Sequence, residues 1–223
     1  MPPQRGTDAS VAGISDGIRQ VAVEFRELEA PVTRSVVVII SVVFIGQIFT
    51  ALLLEVEIPV LVRDLFTEYA AVAWVVSPVL HYGELHFLFN IVVIWGLGTV
   101  VEQTLSGRTY VLFILLAAIG STTASYLAKA PFGPVQIATY GSSGIAYAAA
   151  TYSLTFTSNG TVPGLQDLAS VDFIARIAGF SAVLIVAGDI VAGPSVTANW
   201  FNGSHLGGAV IGLVCGRYLP ETE

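Results

Sequence analysis

Two imidazoles and a carboxamide stand together in His81-Tyr-Gly-Glu-Leu-His86-Phe-Leu-Phe-Asn90. They sit at the mouth of a segment, Phe87 to Val101, that otherwise reads as membrane helix. Polar side chains inside a bilayer are costly and usually face the bundle interior, so they are candidates for function. His86 and Asn90 are four residues apart and therefore share one helix face. The third and last histidine of the chain, His205, opens the final apolar segment, and Gly141-Ser142-Ser143-Gly144 opens another. A serine hydroxyl is a weak nucleophile until a base takes its proton. His205 is a suitable base, because imidazole titrates near neutral pH. Attack on a carbonyl creates an oxyanion, which needs preorganised donors. His86 and Asn90 would supply two of them, and the free N–H groups at a helix start by Ser143 would add to them. Glycines flanking the serine pair let backbone and substrate approach closely. There is no nearby Asp to orient His205, which favours a Ser-His dyad over a triad.

The elements that must position these groups belong to a membrane protein. Only 11% of the 223 residues are charged, against about 25% in an ordinary soluble domain. Net charge is −7, with eight arginines and one lysine. An acidic, Lys-poor chain argues against a nucleic-acid partner and hints at a salt-rich habitat. The single cysteine, Cys215, excludes an internal disulfide.

Residues 1–33 form the polar stretch, expected to be a cytoplasmic segment with a short amphipathic helix carrying Ile14, Ile18, Val21, Phe25 and Leu28, capped by Ser15 or Asp16. It lacks the pattern of a signal peptide. Residues 34–219 are expected to be one membrane domain and residues 220–223 a tail. Six spans are expected: Ser35–Leu54, His86–Val101, Tyr110–Leu127, Ser142–Thr157, Phe173–Val191 and Gly203–Leu219. Glu55–Leu80 is too charged to span and reads as a loop with a short interfacial helix anchored by Tyr69 and Trp74.

Basic residues set the orientation. With both termini inside, Arg5, Arg19, Arg26, Arg34, Arg108, Arg176 and Arg217 are cytoplasmic, and only Arg63 and Lys129 are outside. Spans two, four and six then run inwards, each beginning with a polar motif. Asn90, Ser143 and His205 fall roughly 20–22 Å above the cytoplasmic ends of their helices, hence ~10 Å below the outer surface of a ~30 Å core. Three separate segments deliver polar groups to one depth, in a recess that opens outwards.

These residues carry a resemblance. His81-xxxx-His86-xxx-Asn90, Gly141-Ser-Ser143-Gly144 and His205-xx-Gly208-xxx-Gly212 resemble, in order and spacing, the motifs of rhomboid intramembrane serine proteases over about residues 72–217. The resemblance implies an all-α, six-transmembrane-helix rhomboid-like bundle. It implies Ser143 as nucleophile, His205 as base, and an oxyanion hole of His86, Asn90 and the Ser143 amide. Tyr147 matches the tyrosine that packs on the base, and Gly98 and Glu102 match the end of the second span. It further implies cleavage of transmembrane segments of membrane proteins without a cofactor, with substrate helices entering from the lipid beside the fifth span. Two features depart from the family pattern. No arginine accompanies Trp74 in the first loop, and Asp189 stands near the outer end of the fifth span, where it could tune substrate entry.

Other readings bear on the same residues. Ser143 is favoured by the motif, and Ser142 would then cap the helix. The glycines at 208, 212 and 216 repeat every four residues, a pattern for close helix packing that would bring the sixth span against the fourth. His81 is read as support for the loop, with direct substrate contact as the alternative. Glu84 reads as solvated, and Asp172 and Arg176 as an ion pair at helical spacing. The Asn202-Gly-Ser204 sequon is discounted, because a glycan there would crowd the site. His86, Asn90 and one distant His make a poor metal-ligand set. A non-catalytic rhomboid-like binding or quality-control factor is the main rival, though Ser143 and His205 are both intact. A transporter or channel would instead carry polar residues along whole helices.

Overall fold

The computed structural model describes residues 28–129, 140–155, 171–192 and 203–219, together with Arg19 and Val23. Among the described residues the regular structure is all helical. Helix α1 spans Pro31–Leu54, α2 Ile58–Glu68 and α3 Ala70–Val76, the last continued by a 3₁₀ turn, Ser77–Val79. Helix α4 spans Glu84–Glu102, α5 Gly107–Lys129 and α6 Ser143–Tyr152, with a 3₁₀ turn at Ser153–Thr155. Helices α7, Val171–Ala192, and α8, Gly203–Tyr218, follow among the described residues.

Three of these helices, α1, α4 and α5, are long and apolar enough to cross a membrane, and α7 adds a shorter apolar run, Arg176–Gly188. The loop between α1 and α4 holds two helices and a turn where one short helix was expected. Tyr69 and Trp74 are exposed there, and Val62 is buried. Of the amphipathic segment, Arg19 and Val23 are helical and Leu28 lies outside any helix. Ile14, Ser15, Asp16, Ile18, Val21 and Phe25 lie outside the described residues, as do Asn202, the tail at 220–223 and the side chains of Asp172 and Asp189.

Helix α1 begins three residues before the expected boundary at residue 34, and the cause is long-range. Pro31 occupies the first helical turn, where its fixed φ is preorganised for a helix. The buried Glu102 carboxylate, at the far end of α4, accepts hydrogen bonds from the Val32 and Thr33 amides at 2.9 and 2.8 Å. A carboxylate there satisfies two orphan N–H groups and the positive end of the helix dipole. Thr33 Oγ1 lies 2.9 Å from the Tyr110 hydroxyl of α5. Gly98 leaves room for this pair, since a Cβ on it would stand 2.9 Å from the Tyr110 oxygen.

Contacts fix the helix directions. Glu102 meets Val32 and Thr33 at one end, and Phe87 stacks on Phe44 at 4.3 Å nearer the other, so α1 and α4 are antiparallel. Gly203 packs on Ser125, Gly207 on Ala124 and Ser121, and Ile211 on Gly120, so α5 and α8 are antiparallel. Gly208 meets Gly144, Gly212 meets Ala148 and Gly216 meets Thr155, so α6 and α8 are parallel. Cβ atoms on Gly208 and Gly212 would overlap the carbonyl oxygens of Gly144 and Ala148. The Thr151 hydroxyl donates across this contact to the Ala209 carbonyl at 2.9 Å. Every residue of α6 except Tyr147 is buried. A short helix that is small and apolar on nearly all sides suits the centre of a bundle.

Helix α4 is interrupted by a π segment, Ile94–Gly98. A straight α-helix would carry Gly98 about 80° round from Asn90. The wider π turns take back most of that rotation. Asn90, Ile94, Gly98 and Glu102 are all buried as a result.

Replacing Glu102 by Ala should lower stability by about 1–3 kcal/mol, the scale of a charged cap. Thermal unfolding in detergent checks this, and an unchanged midpoint would contradict it.

Candidate active site

The start of α6 is built around Gly141. Its φ of 122° is a conformation that side-chain-bearing residues rarely adopt. Its N–H donates to the Ser77 carbonyl at 3.0 Å. A Cβ on it would overlap the His86 ring. The backbone leading to the serines is thus pressed against α4.

Ser142 occupies the N-cap position of α6, and its carbonyl accepts from the Ala146 amide at 3.1 Å. Its hydroxyl, however, makes no cap hydrogen bond. It lies 3.1 Å from His81 Nε2 instead, which corrects the expectation of a side-chain cap. Both groups are fully buried, so pairing removes two desolvated polar groups at once. Burial first, and then the His86 imidazole, hold the His81 ring well below its ordinary range, at about 4. It is therefore neutral at neutral pH.

His81 is held by a residue not singled out in the sequence. The Gln47 carboxamide of α1 donates to the His81 carbonyl at 2.9 Å and accepts from its N–H at 3.0 Å. Gln47 is buried. The signal available was a carboxamide in an apolar helix, three residues after Phe44, whose ring meets the His81 edge at 6.0 Å.

His86 lies between aromatic neighbours. Its ring stacks on Tyr82 at 4.5 Å and stands 5.2 Å from His81. Tyr82 also meets Tyr140 edge-on at 5.9 Å. Asn90 is buried one turn further along α4. Its Nδ2 and His86 Nδ1 have no hydrogen-bond partner among the described residues. Buried polar atoms left open in this way call for an explanation.

On the other side, the His205 ring stacks on Tyr147 at 4.2 Å and 11°. Tyr147 lies four residues after Ser143, on the same face of α6. The buried Ser143 Oγ stands 3.5 Å from Ser204 Oγ, the residue before His205. His205 and His86 are within electrostatic reach of each other. Ser143, His205, His86, His81, Tyr147 and Gly141 thus gather where α4, α6 and α8 begin, and Asn90 follows His86 by one turn of α4. Gly144 and Gly208 form the backbone contact directly beneath. Gly212 lies two turns below His205 and belongs to the helix packing. Glu84, in the first turn of α4, is exposed.

Helices that close on one another through glycine, and polar groups gathered at one end of apolar elements, define a helical membrane protein with a serine–histidine cluster. A family model for the Rhomboid domain matches residues 69–221. The chain belongs to the rhomboid family. No curated protein matches it.

Gln47→Leu would strand the His81 N–H and carbonyl in a dry site. We expect a loss of about 2–6 kcal/mol, from two buried polar groups at about 1–3 each. Wild-type thermal stability in this variant would contradict the role of Gln47.

Proposed function

We propose that the protein is an intramembrane serine endopeptidase that cuts transmembrane segments of membrane proteins with a Ser143–His205 dyad. The observation that carries this reading is the His205 ring stacked on Tyr147, one helical turn from Ser143. In the reaction, His205 takes the Ser143 proton as the hydroxyl oxygen attacks the scissile carbonyl. The oxyanion is met by donors from His86, Asn90 and the Ser143 amide. The Asn90 Nδ2 donor and the His86 Nδ1 atom that stand open support that role. His205 then gives its proton to the leaving amine, and water releases the acyl group by the reverse sequence. His81, Tyr147, Gly141, Gly144, Gly208 and Gly212 support the dyad without taking part in the transfer.

The working unit in this reading is a six-helix domain over residues 34–219, with residues 1–33 and 220–223 as cytoplasmic segments of a cell-membrane protein. The site opens to the outer face. The parallel course of α6 and α8, antiparallel to α5, supports such an alternating topology. Substrate helices enter from the lipid and unwind locally, because peptide bonds inside a helix are shielded by their hydrogen bonds.

A susceptible transmembrane reporter, incubated with purified enzyme in detergent or liposomes, tests this. Ser143→Ala and His205→Ala should each lose at least ~10³-fold in rate, and Asn90→Ala about 10²-fold. Both dyad variants cleaving as fast as wild type would leave the non-catalytic binding protein as the better reading.

A further inference from the structure

Resting on the proteolytic reading, we infer that Ser204 is a positioning residue for the nucleophile. It orients Ser143 itself, a role separate from the one an acidic third member would have on His205. Ser204 Oγ stands 3.5 Å from Ser143 Oγ, and both side chains are buried. Ser204 and His205 share the first turn of α8, so one element delivers the base and this second hydroxyl to α6. The approach is fixed from below, because a Cβ on Gly208 would overlap the Gly144 carbonyl oxygen. The backbones that carry the two hydroxyls therefore keep their spacing unless α6 separates from α8.

The chemistry follows from the lone pairs. When the Ser143 O–H points at His205, its oxygen still has acceptor capacity. Ser204 O–H can donate to it. That bond fixes the rotamer of Ser143 and strengthens the donor bond to His205 through cooperativity. On attack, the Ser143 O–H bond breaks, its proton goes to His205, and the oxygen bonds the scissile carbon. The carbonyl oxygen becomes the oxyanion, and Ser204 keeps its own proton throughout. The separation of 3.5 Å is long for such a bond, and catalytic hydrogen bonds commonly tighten only when substrate is engaged. Ser204 touches the nucleophile, not the substrate, so it should affect turnover and leave binding alone.

The experiment compares wild type, Ser204→Ala and Ser204→Thr on the transmembrane reporter, with kcat, KM and the thermal midpoint measured for each. Ser204→Ala should lose about 2- to 12-fold in kcat, the scale of one hydrogen bond. Its KM should stay within about twofold and its midpoint should be unchanged. Ser204→Thr, which keeps the hydroxyl, should recover most of kcat. Wild-type kcat in Ser204→Ala would overturn the inference. So would a loss that comes with a lowered midpoint, or one that a stably folded Ser204→Thr fails to recover. A wild-type protein that cleaves nothing would overturn the proteolytic reading itself, a result distinct from these.

Discussion

The close approach of α6 and α8 is the constraint on which the site depends. At Gly144–Gly208 and Ala148–Gly212 the two backbones come so near that a methyl group would enter a carbonyl oxygen. In a membrane, where burying apolar surface gives helices little reason to associate, such approach lets dispersion and interhelical hydrogen bonds hold them. The Thr151–Ala209 bond is one of these. Because the helices are parallel, the first turns of both lie at the same end. Ser143 and Ser204, the residue before His205, therefore meet by register.

The opposite wall is held differently. Between α1 and the segment from His81 through α4, polar pairs join the Phe44–Phe87 stack: Glu102 with the Val32 and Thr33 amides, and Gln47 with the His81 backbone. Each satisfies buried or part-buried backbone groups, so each is expensive to break. The two pairs sit at opposite ends of the hairpin. One sets the start of α1, and the other holds the loop that carries His81 against Ser142. The π segment of α4 lets one buried face serve both ends, with Asn90 towards the site and Glu102 towards α1.

Much of this was legible in the residues. His86, Asn90, Ser143 and His205 stand out because each is polar at the mouth of an apolar run. The glycine repeat at 208, 212 and 216 announces close packing by its spacing alone. What could not be read is which polar group pairs with which. Glu102 lies 69 residues from Thr33 and Gln47 lies 34 from His81, and neither pairing leaves a local pattern. Ser142 looks like a cap by position, yet a buried imidazole competes for its hydroxyl. The π segment has no simple sequence signature, since its residues also read as ordinary helix. The proximity of Ser204 to Ser143 follows only once the register of α6 on α8 is known.

Activation of Ser143 by His205 is tested most directly without a substrate. The purified protein would be treated with a fluorophosphonate in detergent at high salt, beside a known serine hydrolase, and the adduct located by mass spectrometry. An adduct on Ser143 that disappears in His205→Ala is the predicted result. A folded protein that stays unlabelled while the control reacts, or one labelled at Ser142, would contradict the account.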